Sequence, residues 1–153
     1  MLSLWYARDY CNMDTLFTTS DLICDYDDID NFNLSRSQNK ILIDRKTISL
    51  FHDSDPVKVS IRDEKVTKIH KNINELESVD GVAIGLYKFS LEGIQNIITS
   101  IEAKIMSQND NLSLYYAIDN VLDEFEVNPI FAENCRWVDI DTPKDLEIAK
   151  KFN

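Results

Sequence analysis

Glycine is scarce in this sequence. Only Gly81, Gly85 and Gly93 occur in 153 residues, about 2% against a usual ~7%. No pair of them has the spacing of a phosphate-cradling loop. That excludes both a Walker loop and a G-x-G-x-x-G turn within these residues. Cysteine is nearly as rare: Cys11, Cys24 and Cys135 are odd in number and far apart. They form no C-x-x-C pair and no zinc spacing, and read as reduced, mostly buried thiols of a cytosolic protein. His52 and His70 are too few and too isolated for a zinc site. A catalytic cysteine–histidine pair is the lesser alternative. No apolar run approaches ~18 residues, and the first residues carry no signal-peptide pattern. The expectation is a soluble, cytoplasmic chain with no membrane partner.

Positive charge is also short. There are 16 Lys and Arg against 27 Asp and Glu, a net charge of −11. Such a surface repels nucleic acid phosphates and anionic lipid, which argues against a nucleic acid partner. It suits a site that holds a divalent cation. What is present is an ordinary globular composition, 44% hydrophobic and 28% charged. The length fits a single domain over 1–153, long enough to bury a core.

Hydrophobic spacing predicts the elements. Leu4, Ala7, Tyr10 and Cys11 can share one helix face. Thr15 to Thr19 is β-prone and ends at Ser20-Asp21. The acidic run Asp25 to Asp30 suits the first turns of a short helix, where carboxylates meet the positive end of the macrodipole. It lacks the Asp-x-Asp-x-Asp-Gly pattern of a calcium loop. Ile41 to Ile43 is a short apolar strand. Val57, Val59 and Ile61 alternate with polar residues, and Val66 and Ile69 follow after Asp63-Glu64-Lys65, which predicts a hairpin. Val82 to Phe89 is a further strand.

Leu91, Ile94, Ile97, Ile98, Ile101 and Ile105 keep helical spacing, as do Leu114, Ile118, Val121, Leu122 and Phe125. Strands are expected over 126–132 and 137–140. Thr142 before Pro143 predicts a helix start, with Asp145 able to return a carboxylate to the cap. The order is that of an α/β fold with mixed strand pairing.

Two acidic positions stand out. Asp21 follows a strand directly, and Asp139 and Asp141 lie between a strand and a capped helix. Ligands of open α/β sheets bind outside the carboxyl ends of strands. Two carboxylates brought together there repel unless a cation joins them, and Mg²⁺ commonly uses one or two carboxylates plus substrate phosphates. On spacing alone, such residues read first as turns and caps, and as a metal pair second.

A resemblance strengthens the second reading. Trp137-Val138-Asp139-Ile140-Asp141-Thr142-Pro143-Lys144-Asp145-Leu146 resembles the W-x-D-I-D-T-P-E-D-L block near the C-terminus of nucleotidyltransferases. The likeness is to the branch of MobA-like NTP transferase domains that includes sugar-phosphate and phosphocholine cytidylyltransferases. Further blocks follow in family order. Ser3 to Tyr10 resembles the helix before the metal-binding strand, and Thr19-Ser20-Asp21 its strand end. Ile41 to Asp44 and the stretch from Val57 to Lys71 resemble the central strands. Gly85-Leu86-Tyr87-Lys88-Phe89-Ser90 resembles the "GIYKFS" strand.

The resemblance implies a Rossmann-like three-layer sandwich with a mixed sheet, of the nucleotide-diphospho-sugar transferase type. It implies a reaction of an NTP, CTP by branch, with a phosphorylated small molecule such as a phosphocholine-, phosphonate- or sugar-phosphate-like acceptor, releasing pyrophosphate. By motif, Asp21 and Asp139 would hold Mg²⁺, and Asp141 would support them or serve as an alternative ligand on the substrate-binding side. Lys71 would approach the acceptor phosphate. Tyr87, Tyr115 and Tyr116 are candidates for an aromatic substrate-binding cage, and Trp137, Trp5 and Tyr6 read as packing residues.

The family begins with a strand and a glycine-rich loop, roughly L-A-A-G-x-G-x-R, that hold the NTP. Nothing in these residues matches them, and the likeness starts part-way, at Ser3. The expectation is therefore a fold lacking its first βα elements, with exposed strand edges prone to self-association or completed by an N-terminal segment on another chain. Turnover by these residues alone is expected to be negligible. A degenerate, non-catalytic domain that binds a ligand or partner is the alternative, and an unrelated acidic α/β interaction domain the third.

Overall fold

The longest strand organises the sheet. In the computed structural model, which describes residues 1–24, 26–45, 56–72, 78–107, 113–132 and 136–152, β6 (Gly81–Phe89) is buried along almost its whole length. The preceding strands are β1 (Thr15–Thr18), β2 (Leu22–Cys24), β3 (Lys40–Asp44), β4 (Lys58–Arg62) and β5 (Lys65–His70), and β7 (Asn128–Phe131) and β8 (Trp137–Asp139) follow. The main sheet runs β5-β4-β6-β3-β7, with β1 also paired to β6. Among the described residues only the β3–β7 pair is parallel; β6 runs antiparallel to β1, β3 and β4. β2 and β8 form a separate antiparallel ribbon.

Side-chain alternation, the period-two property of strands, divides the interior in two. Ile41, Ile43, Ala83, Tyr87 and Phe89 belong to one apolar cluster, and Leu42, Ile84 and Leu86 to another. The first is covered by α3 (Leu91–Met106) through Ile94, Ile97 and Ile101, and by α4 (Leu114–Asp119) through Ala117 and Ile118. The second is covered by Phe32 and Ile29 of α2 (Tyr26–Leu34) and by Leu22 and Trp137 of the ribbon. Helices, mixed sheet, and helix with ribbon make the three layers expected. Lys40, fully buried, donates its ammonium to the carbonyls of Phe32 and Ser35 (2.8 Å to the latter) and so closes the end of α2.

Several boundaries differ from expectation. The first helix stops at Tyr6 (α1, Leu2–Tyr6), and a 3₁₀ turn, Arg8–Tyr10, follows. Tyr10 accordingly turns out to solvent, 84% exposed. The apolar spacing through Phe125 holds, but α4 ends at Asp119. Beyond it the backbone switches to bonds spanning three residues, Leu122 to Asp119 and Glu124 to Val121, while the Asp119 carboxylate accepts from the Ile69 N–H at 2.8 Å and pairs with Lys68 at 3.1 Å.

The β4–β5 hairpin turns through Asp63 and Glu64, both with positive φ (49° and 61°). Such a turn matches strand twist at the cost of left-handed side-chain-bearing residues. The last helix, α5 (Pro143–Ala149), has the full reciprocal cap between Thr142 and Asp145. Among the described residues no helix is long and apolar enough to cross a membrane. Asp25, His52 and Cys135 lie outside the described residues.

Candidate functional site: a carboxylate pair at the ribbon

Gly85 explains how β1 delivers Asp21. Its φ is +89°, and a Cβ there would meet Thr19 Oγ1 at 2.5 Å. The absent side chain lets the chain leaving β1 lie directly on β6, where the Thr19 N–H donates to the Gly85 carbonyl at 3.0 Å. The backbone then turns at Ser20-Asp21 and enters β2.

Opposite it, Leu22 pairs with Asp139, and the Ile140 N–H donates to the Asp21 carbonyl at 3.0 Å. Asp21, just before β2, and Asp139, the last residue of β8, thus lie at the same end of the ribbon, although 118 residues separate them in sequence (139 − 21). The Thr142–Asp145 cap fixes the chain just beyond: Thr142 accepts from the Asp145 N–H at 3.3 Å, and Asp145 accepts from the Thr142 N–H at 2.8 Å. That cap holds the Asp145 carboxyl below its ordinary value.

Asp139 is the group under strain. Its Oδ1 is buried with no hydrogen-bond partner. Burial first, then the charges of Asp21, Asp141 and Asp145, push its carboxyl from 3.8 up to about 6, against the opposing pull of Lys71. A buried, unpaired carboxylate oxygen is costly, and one facing other carboxylates more so. The arrangement fits a cation held by Asp21 and Asp139 with its remaining positions left to water or phosphate oxygens. It does not fit a closed structural site: among the described residues no group of three or more His, Cys, Asp or Glu side chains converges to hold a metal.

The other expected site residues are distributed unevenly. Lys71 follows β5, is half-buried, and lies within electrostatic reach of Asp139; its carbonyl accepts from Lys58 Nζ at 2.5 Å. Asp141 is exposed, and its N–H donates to the Asp139 carbonyl at 3.2 Å.

The three tyrosines do not converge as one cage. Tyr87 is 4% exposed and its ring stacks on Phe17 at 5.2 Å, because β6 is covered on both faces. That position corrects its expected part in a ligand-facing cage. Burial, then the Asp139 charge, raises its phenol pKa. Tyr115 and Tyr116 stand edge-on to His70, with centroids at 5.9 and 5.8 Å.

Cys11 and Cys24 carry no disulfide, and His70 packs between tyrosines. Two contributors escaped the sequence reading: the charge of Asp145 on Asp139, and a hydrogen bond from Trp137 Nε1 to Asp44 Oδ2 at 2.8 Å. The second joins residues 93 apart and leaves no local signal.

No protein-family model matches the chain. Over 95 residues it is 27% identical to the bifunctional IPC transferase and DIPP synthase of Thermococcus kodakarensis, a stretch that spans 62% of this chain and 19% of that protein. Among solved structures it is similar to the inositol-1-phosphate CTP transferase of T. maritima, with a TM-score of 0.76 and 17% identity over 97% of this chain and 59% of that one. The CTP:phosphocholine cytidylyltransferase of Streptococcus pneumoniae gives a TM-score of 0.67 and 15% identity, covering 97% of this chain and 61% of the other. A UDP-glucose pyrophosphorylase from Acinetobacter baumannii gives 0.60 and 14%, with 97% and 59% covered. The fold is therefore the nucleotidyltransferase one, as the sequence blocks implied. The chain spans about three fifths of the length of these solved structures.

Proposed function

We propose that these residues form the metal- and acceptor-binding part of a nucleotidyltransferase that joins an NTP, CTP by resemblance, to a phosphorylated small molecule. The acceptor phosphate oxygen would attack the α-phosphorus in line. The new O–P bond forms as the bond to the β-phosphate oxygen breaks, and pyrophosphate leaves with the electron pair. Both reactants are anionic, so the protein's contribution is neutralisation and positioning.

Asp21 and Asp139 would hold a divalent cation, proposed as Mg²⁺, which when bound supplies charge to the phosphate oxygens. Lys71 would approach the acceptor phosphate from β5, and Asp141 would hold the backbone of the ribbon end. Tyr115 and Tyr116 are candidates for the acceptor side, where both rings meet His70, the residue before Lys71. The observation that carries the reading is the buried, partnerless Asp139 Oδ1 beside Asp21.

The second reading is a non-catalytic binding module of the same fold. It is supported by an open edge of the sheet. Among the described residues β1 pairs with β6 alone, and Leu16 on it is 47% exposed. A segment from outside these residues, in the same polypeptide or another, would add to that edge; self-association there is the competing outcome.

Pyrophosphate release separates the two readings. It is measured with Mg²⁺, CTP or another NTP, and a panel of phosphorylated acceptors. The assay is run on the 153-residue chain and on a chimera bearing the glycine-rich segment of a relative. Release by the chimera alone, abolished by Asp139→Ala, is the expected result. Release by neither favours the binding module.

A further inference from the structure

Both carboxylates sit on a ribbon that is separate from the main sheet. Asp21 precedes β2, Asp139 ends β8, and neither strand joins the six-stranded sheet by backbone pairing. The ribbon's place is set by apolar packing of Leu22 and Trp137 on Phe32, Leu42, Ile84 and Leu86. Packing of this kind fixes distance but is non-directional. A directional contact is supplied by the Trp137 indole, which donates to Asp44 Oδ2 at 2.8 Å. Asp44 ends β3, is 5% exposed, and pairs through its backbone with Val82 of β6. Its carboxylate is therefore anchored to the centre of the sheet.

On the donor side, Trp137 is two residues before Asp139 in the same short strand and pairs with Cys24 of β2. Strand periodicity puts residues 137 and 139 on one face, so rotating β8 about its axis moves both together.

We infer that Asp44 and Trp137 form a positioning latch: their hydrogen bond fixes the roll of the ribbon against the sheet and so aims the Asp21–Asp139 pair. Neither residue touches substrate or cation in this role. The inference rests on the proposed metal-binding reading for its consequence, but the latch itself is a property of the ribbon.

The test has two readouts. Amide hydrogen exchange at Ile140, whose N–H bonds to the Asp21 carbonyl, reports the join of the two strands without any ligand. Mn²⁺ affinity, followed by electron paramagnetic resonance, reports the carboxylates. Trp137→Phe keeps a ring for packing but removes the donor. Asp44→Leu removes the acceptor, and Asp44→Asn keeps a carbonyl acceptor of the same shape.

The expected result for Trp137→Phe and Asp44→Leu is Ile140 exchange about five- to tenfold faster, with the amides of the β3–β6 pairing unchanged. Mn²⁺ binding weakens about tenfold, and Asp44→Asn stays within about twofold of the parent in both readouts. Ile140 exchange unmoved by Trp137→Phe, or Asp44→Asn as impaired as Asp44→Leu, overturns the latch. A parent chain that binds no Mn²⁺ removes the metal reading instead, and Ile140 exchange still decides the latch.

Discussion

The sheet core and the β2–β8 ribbon are built in opposite ways. In the core, apolar alternation, helix spacing and burial agree, and Ile94, Ile97 and Ile101 are wholly removed from water. Even its buried cation, Lys40, has two carbonyl partners. In the ribbon, Asp139 has a buried Oδ1 with no partner and feels the charges of Asp21, Asp141 and Asp145. Local consistency marks regions selected for stability, and conflict marks regions where something else is served. The fold thus places this electrostatic conflict at one end of the ribbon, away from its packed centre.

That contrast is open to direct attack. The largest effect belongs to the core: Ile97→Ala should cost about 2–5 kcal/mol, read from urea unfolding, and should leave the pH dependence of stability unchanged. The ribbon should respond with the opposite sign. The Asp139 carboxyl titrates near 6 when folded and at 3.8 ordinarily, so the folded state binds its proton more tightly. Stability from this group is full below about pH 4 and is lost as pH rises through about 6. Asp139→Asn should therefore stabilise the chain at pH 7, by on the order of 1 kcal/mol after allowance for solvent screening, and flatten that window. Asp145, held below 3.8 by its cap, acts in a separate window: its contribution is present above 3.8 and is lost on further acidification.

Smaller effects sharpen the same boundary. Thr142→Ala removes the cap that fixes the chain after Asp139 and should lower stability by about 1 kcal/mol, seen as a lower Tm. Glu64→Gly, at a positive-φ turn far from the ribbon in sequence, should raise stability by a few tenths to about 1 kcal/mol. It should not change cation binding. If Glu64→Gly altered cation binding as strongly as a ribbon substitution, scaffold and site would not be separable.

The core was legible in the sequence because its signals are periodic. The isoleucines of α3, the alternation in β4 and the Thr142-Pro143 start each carry a local pattern with one cheapest structure. The end of α4 was not legible: apolar spacing runs on to Phe125, while the helix is stopped by Asp119 turning to serve Ile69 and Lys68, partners distant in sequence. At the candidate site, Asp21 and Asp139 were singled out through position and resemblance, and the fold brings them to the same end of the ribbon. The cage expected of Tyr87, Tyr115 and Tyr116 failed at Tyr87, since residue type cannot say which face of a central strand is covered. The Asp44–Trp137 hydrogen bond was invisible because only the tertiary fold creates it.

The most direct measurement is a Mn²⁺ titration of the 153-residue chain at pH 7.5, repeated at pH 5, with Asp21→Ala, Asp139→Ala and the double variant alongside. The expected result is weak binding that needs both carboxylates and falls away at pH 5, where Asp139 takes up its proton. Binding that persists in the double variant would contradict the assignment of the carboxylate pair as the cation site.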